Sequence, residues 1–201
     1  CMLDIATGGG HTAARFGDRC RMAVASDLTF RMLTAARRRY PELVCCQHDA
    51  EHVPYPDGSF DAVTCRIAPH HFPSIDAFVM EVARVLKPGG LLAIADNVAS
   101  PDRKVARYVD ALETLRDPSH HLMFTLPDWE AAFYAAGVSV THTEAFHKTD
   151  DFDGWAGRMG VSADDTLRLR AMVLQAPPAV QEWMQPRQKG SRIEFLLHEV
   201  I

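Results

Sequence analysis

The residues with the plainest chemical potential stand at the start of this 201-residue chain. Met2-Leu3-Asp4-Ile5-Ala6-Thr7-Gly8-Gly9-Gly10-His11 reads as a short apolar strand with an acid near its end, followed by three glycines. Glycine reaches positive φ without steric cost and has no Cβ, so such a loop can turn tightly and lay bare backbone against a ligand. A second acid follows at a meaningful distance. Arg21-Met22-Ala23-Val24-Ala25-Ser26-Asp27 reads as the next strand, with Asp27 at its carboxyl end. In a βαβ unit that position lies beside the glycine loop and can accept hydrogen bonds from ribose hydroxyls. The pair of features points to a cofactor that contains a nucleoside.

Gly8-x-Gly10-x-x-Ala13 also satisfies the dinucleotide fingerprint, with Asp27 near the expected distance of about 20 residues. A nicotinamide-dependent dehydrogenase is therefore the competing reading. Asp4 and Asp49 argue against it, because carboxylates near a diphosphate repel it. No catalytic Ser/Tyr/Lys grouping stands out downstream either. Among the histidines, His70-His71 and His120-His121 are adjacent pairs that would point apart on extended chain, and no HxxxH or HExxH frame exists, so no metal site is expected. His11, His48, His52, His142, His147 and His198 read as structural or solvent-exposed. His70 and His71 differ in placement: they follow the fourth strand, at the mouth where open α/β sheets bind ligands, and either could act as a general base or orient an acceptor.

These groups must be positioned by elements that the pattern supplies. Strand-like runs cover Cys1–Ala6, Arg21–Ser26, Leu43–His48, Phe60–Arg66 and Gly90–Asp96, with helical stretches at His11–Phe16, Phe30–Arg39 and Ser74–Leu86 between them. In the last helix Ile75, Phe78, Val79, Val82 and Leu86 recur at helical spacing, Ser74 is a natural N-cap, and Lys87-Pro88-Gly89-Gly90 ends it. This alternation predicts a mostly parallel sheet with helices on both faces and right-handed crossovers. Further on, Arg103–Arg116 reads as a helix. A second helix starts at Thr125 with a capping-box spacing and closes at Gly137; Val138–Ala145 alternates like a strand, and Ile193–Ile201 suits a final one. The whole, residues 1–201, is expected to be one domain, with a mostly helical insertion at about 151–189. Cys1 already lies inside a strand, so the native chain is expected to have something before it.

Composition sets further bounds. A net charge of -5 argues against nucleic acid as an obligatory partner. The basic run Arg37-Arg38-Arg39 falls in the last turn of a helix, where it suits the helix dipole. Five cysteines without CxxC spacing read as reduced thiols, mostly core filler, in a cytoplasmic protein. No apolar run reaches the ~18–20 residues of a membrane span, and no signal-peptide pattern is present, so no stable membrane insertion is expected. Oligomeric state stays open.

Four blocks, in order, carry a family resemblance: Leu3-Asp4-Ile5-Ala6-Thr7-Gly8-Gly9-Gly10; Ser26-Asp27-Leu28-Thr29 with Met32; Asp49-Ala50-Glu51 with Pro54-Tyr55-Pro56-Asp57-Gly58-Ser59-Phe60-Asp61; and Val85-Leu86-Lys87-Pro88-Gly89-Gly90. The chain resembles the class I S-adenosylmethionine-dependent methyltransferases, and within them the quinone-biosynthesis-like group. The resemblance implies a doubly wound, Rossmann-like sheet of seven mostly parallel strands, the last antiparallel. It implies S-adenosyl-L-methionine as cofactor and in-line transfer of its methyl group to a small-molecule acceptor, such as an aromatic or quinone-like ring. The backbone of Ala6, Thr7, Gly8 and Gly10 would approach the methionine part, and Asp4 would take up either the loop or the cofactor's ammonium. Asp27 would meet the ribose diol, Asp49 with the Ala50 backbone the adenine amino group, and Leu28 and Met32 the adenine face. Arg66 lies at the mouth of the site. Ala6 departs from the family pattern, which usually has glycine there, and alanine disfavours positive φ. Helices over Arg103–Arg116 and Asp151–Gln175 would roof the acceptor pocket, with Tyr108, Met123, Phe124, Phe152, Trp155 and Met159 as lining or as plain core. A non-catalytic S-adenosylmethionine-binding protein is the other reading of the same residues.

Overall fold

A computed structural model describes residues 1–201, which divide into two compact units: Cys1–Asp96 with Pro127–Thr143 and Ile201, and Asn97–Leu126 with Glu144–Val200. In the first unit the chain alternates β1 (Met2–Ile5), α1 (His11–Gly17), β2 (Ala23–Asp27), α2 (Phe30–Arg39), β3 (Val44–Gln47), β4 (Phe60–Arg66), α3 (Ile75–Val85) and β5 (Leu86–Asn97). All five strands pair in parallel, in the spatial order β3-β2-β1-β4-β5. The chain thus builds outward from β1 on one side and then returns to pair β4 on the other, which makes the β1/β4 boundary the topological switch point. β1 is buried along its whole length, as a central parallel strand must be, while the edge strand β3 is half exposed.

Local signals explain the helices. Ser74 Oγ accepts from the Ala77 N–H at 3.1 Å and starts α3, whose Ile75, Phe78, Val79, Val82 and Val85 are all buried. Leu86, expected as the helix's last apolar contact, instead opens β5 opposite Phe60, and the register then jumps to Ala62 opposite Leu91. Lys87–Gly90 thus lies past the helix end as an irregularity within β5. Gly10 marks another tight place. It sits at φ +77, and a Cβ there would stand 3.0 Å from both Ala36 Cβ and Leu43 Cδ1. It lets the start of α1 lie directly against α2 and the approach to β3.

In the second unit α4 (Arg103–Arg116) is capped by Asp102, whose Oδ1 accepts from the Lys104 N–H at 2.7 Å. β6 (Ala145–Asp151), α6 (Phe152–Gly157), α7 (Ala163–Leu174), α8 (Pro178–Met184), β7 (Arg187–Lys189) and β8 (Arg192–Val200) complete it, and β8 pairs antiparallel with both β6 and β7. Its core gathers Val109 and Leu112 of α4, Phe152 and Trp155 of α6, Leu169 of α7, Met184 of α8 and Phe195 of β8. The late antiparallel strand expected at Ile193–Ile201 is β8.

Two expectations need correction. The alternating segment Val138–Ala145 is not a strand; α5 (Leu126–Ala135) is followed by irregular, largely exposed chain, and the strand begins only at Ala145. Alternation there has no buried face to read out. The strand count is eight, not seven, because Arg187–Lys189 forms a hairpin arm on β8. Three exposed polar residues carry no apolar period, so pairing alone makes that strand. No helix is long and apolar enough to cross a membrane.

Gly10→Ala should destabilise the protein by about 2–4 kcal/mol, combining left-handed backbone strain with overpacking against Ala36 and Leu43. Gly8→Ala, where a Cβ meets nothing within 4 Å, should cost only the strain. Urea denaturation of the two variants side by side measures the difference.

Candidate active site at the carboxyl edge of the parallel strands

Asp4 lies in β1 between Ala25 of β2 and Thr64 of β4, and it is 1% exposed. A buried carboxylate needs partners, and Asp4 finds three. Its Oδ1 accepts from Thr64 Oγ1 at 2.6 Å; its Oδ2 accepts from Thr7 Oγ1 at 2.5 Å and from the Ala13 N–H at 3.2 Å. These bonds tie Asp4 to the loop after β1, to the first turn of α1 and to β4. Burial pushes the Asp4 carboxyl above its ordinary 3.8, against the pull of these hydrogen bonds and of the Arg66 charge.

The loop itself bends through the left-handed region three times, at Ala6 (φ 52), Gly8 (φ 53) and Gly10 (φ 77). Ala6 thus keeps the conformation for which glycine would be the easier residue, at a cost of roughly 1–2 kcal/mol. Asp27 closes the loop from β2: its Oδ2 accepts from the Gly8 N–H at 2.9 Å, and its Oδ1 from the Thr29 N–H at 2.8 Å. Each oxygen retains a second lone pair, so the carboxylate can hold the loop and still accept from a diol. Asp49, two residues past the end of β3, is exposed and accepts from the Glu51 N–H at 2.9 Å, while Ala50 is buried. Leu28 is 66% and Met32 46% exposed, so both leave apolar surface open after Asp27.

At the ends of β4 and β5 a second cluster forms. Arg66 is exposed, and Ile67 after it sits at φ 50, a costly conformation for a β-branched residue. That bend leads into a 3-10 turn over Pro69–His71. His70, 6% exposed, donates its backbone N–H to Asp96 Oδ2 at 2.8 Å, and its Nδ1 lies 2.7 Å from Asp96 Oδ1. His71 is half-buried, with its ring centroid 4.2 Å from that of His70.

The expected residues therefore fall into two groups. Asp4, Ala6, Thr7, Gly8, Gly10 and Asp27 share one hydrogen-bonded loop, with Leu28, Met32, Asp49 and Ala50 following from β2 and β3. Arg66, His70 and His71 follow β4. Sequence reasoning missed Asp96, Thr64 and the working role of Thr7. Asp96 had a signal: an acid at the carboxyl end of the strand beside the His70 turn. In the second unit, Phe152 and Trp155 are spent on packing, with the Arg116 guanidinium 4.7 Å above the Trp155 ring, and the Tyr108 hydroxyl donates to the Met172 carbonyl at 2.9 Å. Met159 is exposed. Those aromatics are core.

Comparison with known proteins bears on the family and the fold. Residues 3–94 match the family described as "Methyltransferase domain". The uncharacterized methyltransferase YcgJ of Bacillus subtilis is 32% identical over 207 residues, covering 100% of this chain and 82% of that protein. Its crystal structure superposes with a TM-score of 0.92 at 31% identity, over 99% of this chain and 88% of that one. A methyltransferase candidate from Bacillus halodurans C-125 superposes with a TM-score of 0.93 at 35% identity, over 99% and 89% of the two chains. The demethylmenaquinone methyltransferase of Beutenbergia cavernae is 35% identical over 100 residues, which cover 50% of this chain and 42% of that enzyme.

A carboxyl whose folded-state pKa lies above its unfolded value stabilises the fold fully below the unfolded value, and that contribution is lost as pH rises through the folded one. Asp4→Asn should cost about 1–3 kcal/mol at acid pH, because the amide brings two N–H donors into a buried site where the neutral acid brings one. The deficit should narrow as pH climbs above 3.8, the ordinary value from which Asp4 is raised. Denaturant melts of both proteins from acid to neutral pH check the sign.

Proposed function

The chain belongs to the class I S-adenosylmethionine-dependent methyltransferases, and from that premise we propose that it methylates a small aromatic or quinol-like acceptor whose proton is taken by His70. The observation that carries the reading is the Asp96 grip on His70. With Nδ1–H donating to the Asp96 carboxylate, a neutral imidazole carries its lone pair on Nε2, the nitrogen suited to accept a proton. The partial identity with a demethylmenaquinone methyltransferase supports the same acceptor class.

The residues of the first cluster fit the cofactor. Gly8 leaves open space where a Cβ would stand, Asp27 and Asp49 keep acceptor capacity for a diol and an amino group, and Leu28 and Met32 offer apolar surface for a purine face. A diphosphate suits three carboxylates poorly. S-adenosylmethionine supplies a methyl carbon already activated on a sulfonium. The protein's own work is alignment, exclusion of water and removal of the acceptor proton. Asp4 and Asp27 hold the loop backbone rigid from two strands, and Asp96 fixes the ring plane and tautomer of His70. With the cofactor bound, the acceptor oxygen or ring carbon would take the methyl as its bond to sulfur breaks and leaves a thioether, and the acceptor proton would pass to His70 Nε2. Arg66 stands at the mouth, where its charge suits a carboxylate.

Asp49→Ala should weaken binding of S-adenosylhomocysteine by about 1–3 kcal/mol, the range for a hydrogen bond to a charged group, and weaken an analogue lacking the adenine amino group far less. Calorimetry with both ligands decides; equal losses would assign Asp49 to the turn alone.

His70→Gln should bind cofactor as the wild type does yet lose turnover by ~10²–10⁴-fold, and Asp96→Asn should lose a smaller part of it. The assay is a screen of phenolic and quinol acceptors with labelled S-adenosylmethionine. Retained kcat with only a raised acceptor KM would instead make the transfer one of alignment.

A further inference from the structure

Asp4 and Asp27 secure only part of the glycine loop: their bonds reach Thr7, Gly8 and Ala13. Gly9 and Gly10 receive nothing from them. The helix that follows, α1, is seven residues long and has no capping side chain, since its N-cap is Gly10. Asp4 takes the Ala13 N–H of its first turn and the Gly10 N–H donates to the Thr7 carbonyl at 3.0 Å, but seven residues give a helix little stability of its own with which to hold Gly9.

His11 supplies the missing support. Its ring lies over Gly9, so close that a Cβ on Gly9 would stand 3.2 Å from His11 Nε2. Both ring nitrogens are engaged by the far end of α2. Arg39 Nη1 is 2.9 Å from Nε2, and Tyr40 Oη is 3.0 Å from Nδ1. A guanidinium has no acceptor, so Nε2 accepts from Arg39, and the neutral ring then donates Nδ1–H to the Tyr40 hydroxyl. The Tyr40 and His11 rings meet edge to face at 5.8 Å, and Tyr40 Cδ2 lies 3.3 Å from where a Gly10 Cβ would be. Tyr40 thus backs Gly10 directly and His11 through its hydroxyl.

We propose that His11, Tyr40 and Arg39 form an outer brace on the glycine loop, and that affinity for the amino-acid part of the cofactor depends on this brace. The inference rests on the reading that residues 6–10 carry that part of the cofactor. α2 then serves both ends of the ligand: Met32 in its first turn offers the purine surface, and its last turn holds the loop. His11 is a positioning residue, acting through the backbone of Gly9 and Gly10. The basic end of α2 thereby has a use beyond the helix dipole, confined to Arg39.

The test measures binding of S-adenosylhomocysteine and of 5′-methylthioadenosine, which lacks the amino-acid tail, to the wild type, His11→Ala, His11→Gln, Tyr40→Phe and the control Arg38→Gln. His11→Ala removes two hydrogen bonds and should weaken S-adenosylhomocysteine roughly five- to thirty-fold, with a loss for methylthioadenosine below about threefold. His11→Gln should recover most of the affinity, because an amide can accept from Arg39 and donate to Tyr40. Tyr40→Phe should fall between, and Arg38→Gln should match the wild type. Equal losses for the two ligands would mark a general loss of stability and overturn the brace, as would unchanged affinity in His11→Ala or no recovery in His11→Gln. A wild type that binds neither ligand would refute the cofactor reading of the loop. Hydrogen exchange over residues 7–14 would then judge the brace alone: faster exchange in His11→Ala supports it, and unchanged exchange overturns it.

Discussion

A carboxylate removed from water must be compensated where it sits, and in this protein that demand organises the centre of the parallel sheet. Asp4 stands on the middle strand, and its three donors come from the loop after β1, the first turn of α1 and the neighbouring strand β4. The Asp4 carbonyl also accepts from Ser26 Oγ at 3.1 Å, and the Ser26 carbonyl accepts from the Thr7 N–H at 2.8 Å, so β2 joins the same network. The Asp4 side chain therefore joins β1 to β4, the loop and α1, and its backbone carbonyl brings in β2. The loop leaves β1 through these bonds and the Asp27 bond to Gly8 together.

Such a network can hold backbone that would not hold itself. Ala6 and Ile67 both lie in the left-handed region, at the ends of β1 and β4, the two strands that flank the switch point. Strain of about 1–3 kcal/mol at each persists only where the surroundings overdetermine the chain. After Ala6 the Thr7 N–H is bound to Ser26, and the Ile67 N–H itself donates to the Ala95 carbonyl at 2.7 Å. The bend at Ile67 is what carries His70 back over β5, where Asp96 takes both its backbone N–H and its ring. Strain on one strand end and a hydrogen-bonded His–Asp pair on the next are parts of one construction.

A histidine held by an aspartate is not by itself a sign of chemistry, and the second unit shows why. There His120 Nε2 lies 2.9 Å from Asp110 Oδ1, which also accepts from the Met123 N–H at 3.0 Å. That pair pins the chain after α4. The His70–Asp96 pair uses the same groups but stands at the carboxyl edge of the parallel strands, beside the topological switch point where open sheets take ligands. Placement in the fold separates the two.

The sequence by itself determined the elements whose periodicity comes from local burial. α2 over Phe30–Arg39 and α4 over Arg103–Arg116 lie where their patterns put them, and α3 starts one residue after its Ser74 cap. The glycine loop and the acids near the carboxyl ends of β1, β2 and β3 were equally legible, because backbone freedom and charge are properties of residue type. Tertiary structure decided the rest. Asp4 was legible as an acid near a strand end, and only the approach of Thr64 and α1 supplied its partners within the chain. Asp96 looked like the end of a strand until the Ile67 bend brought His70 to it. Val138–Ala145 alternates without a face to bury, and Arg187–Lys189 is a strand only because β8 runs beside it. Helical and turn preferences act within a few residues, whereas strand pairing and the partners of a buried charge depend on segments dozens of residues away.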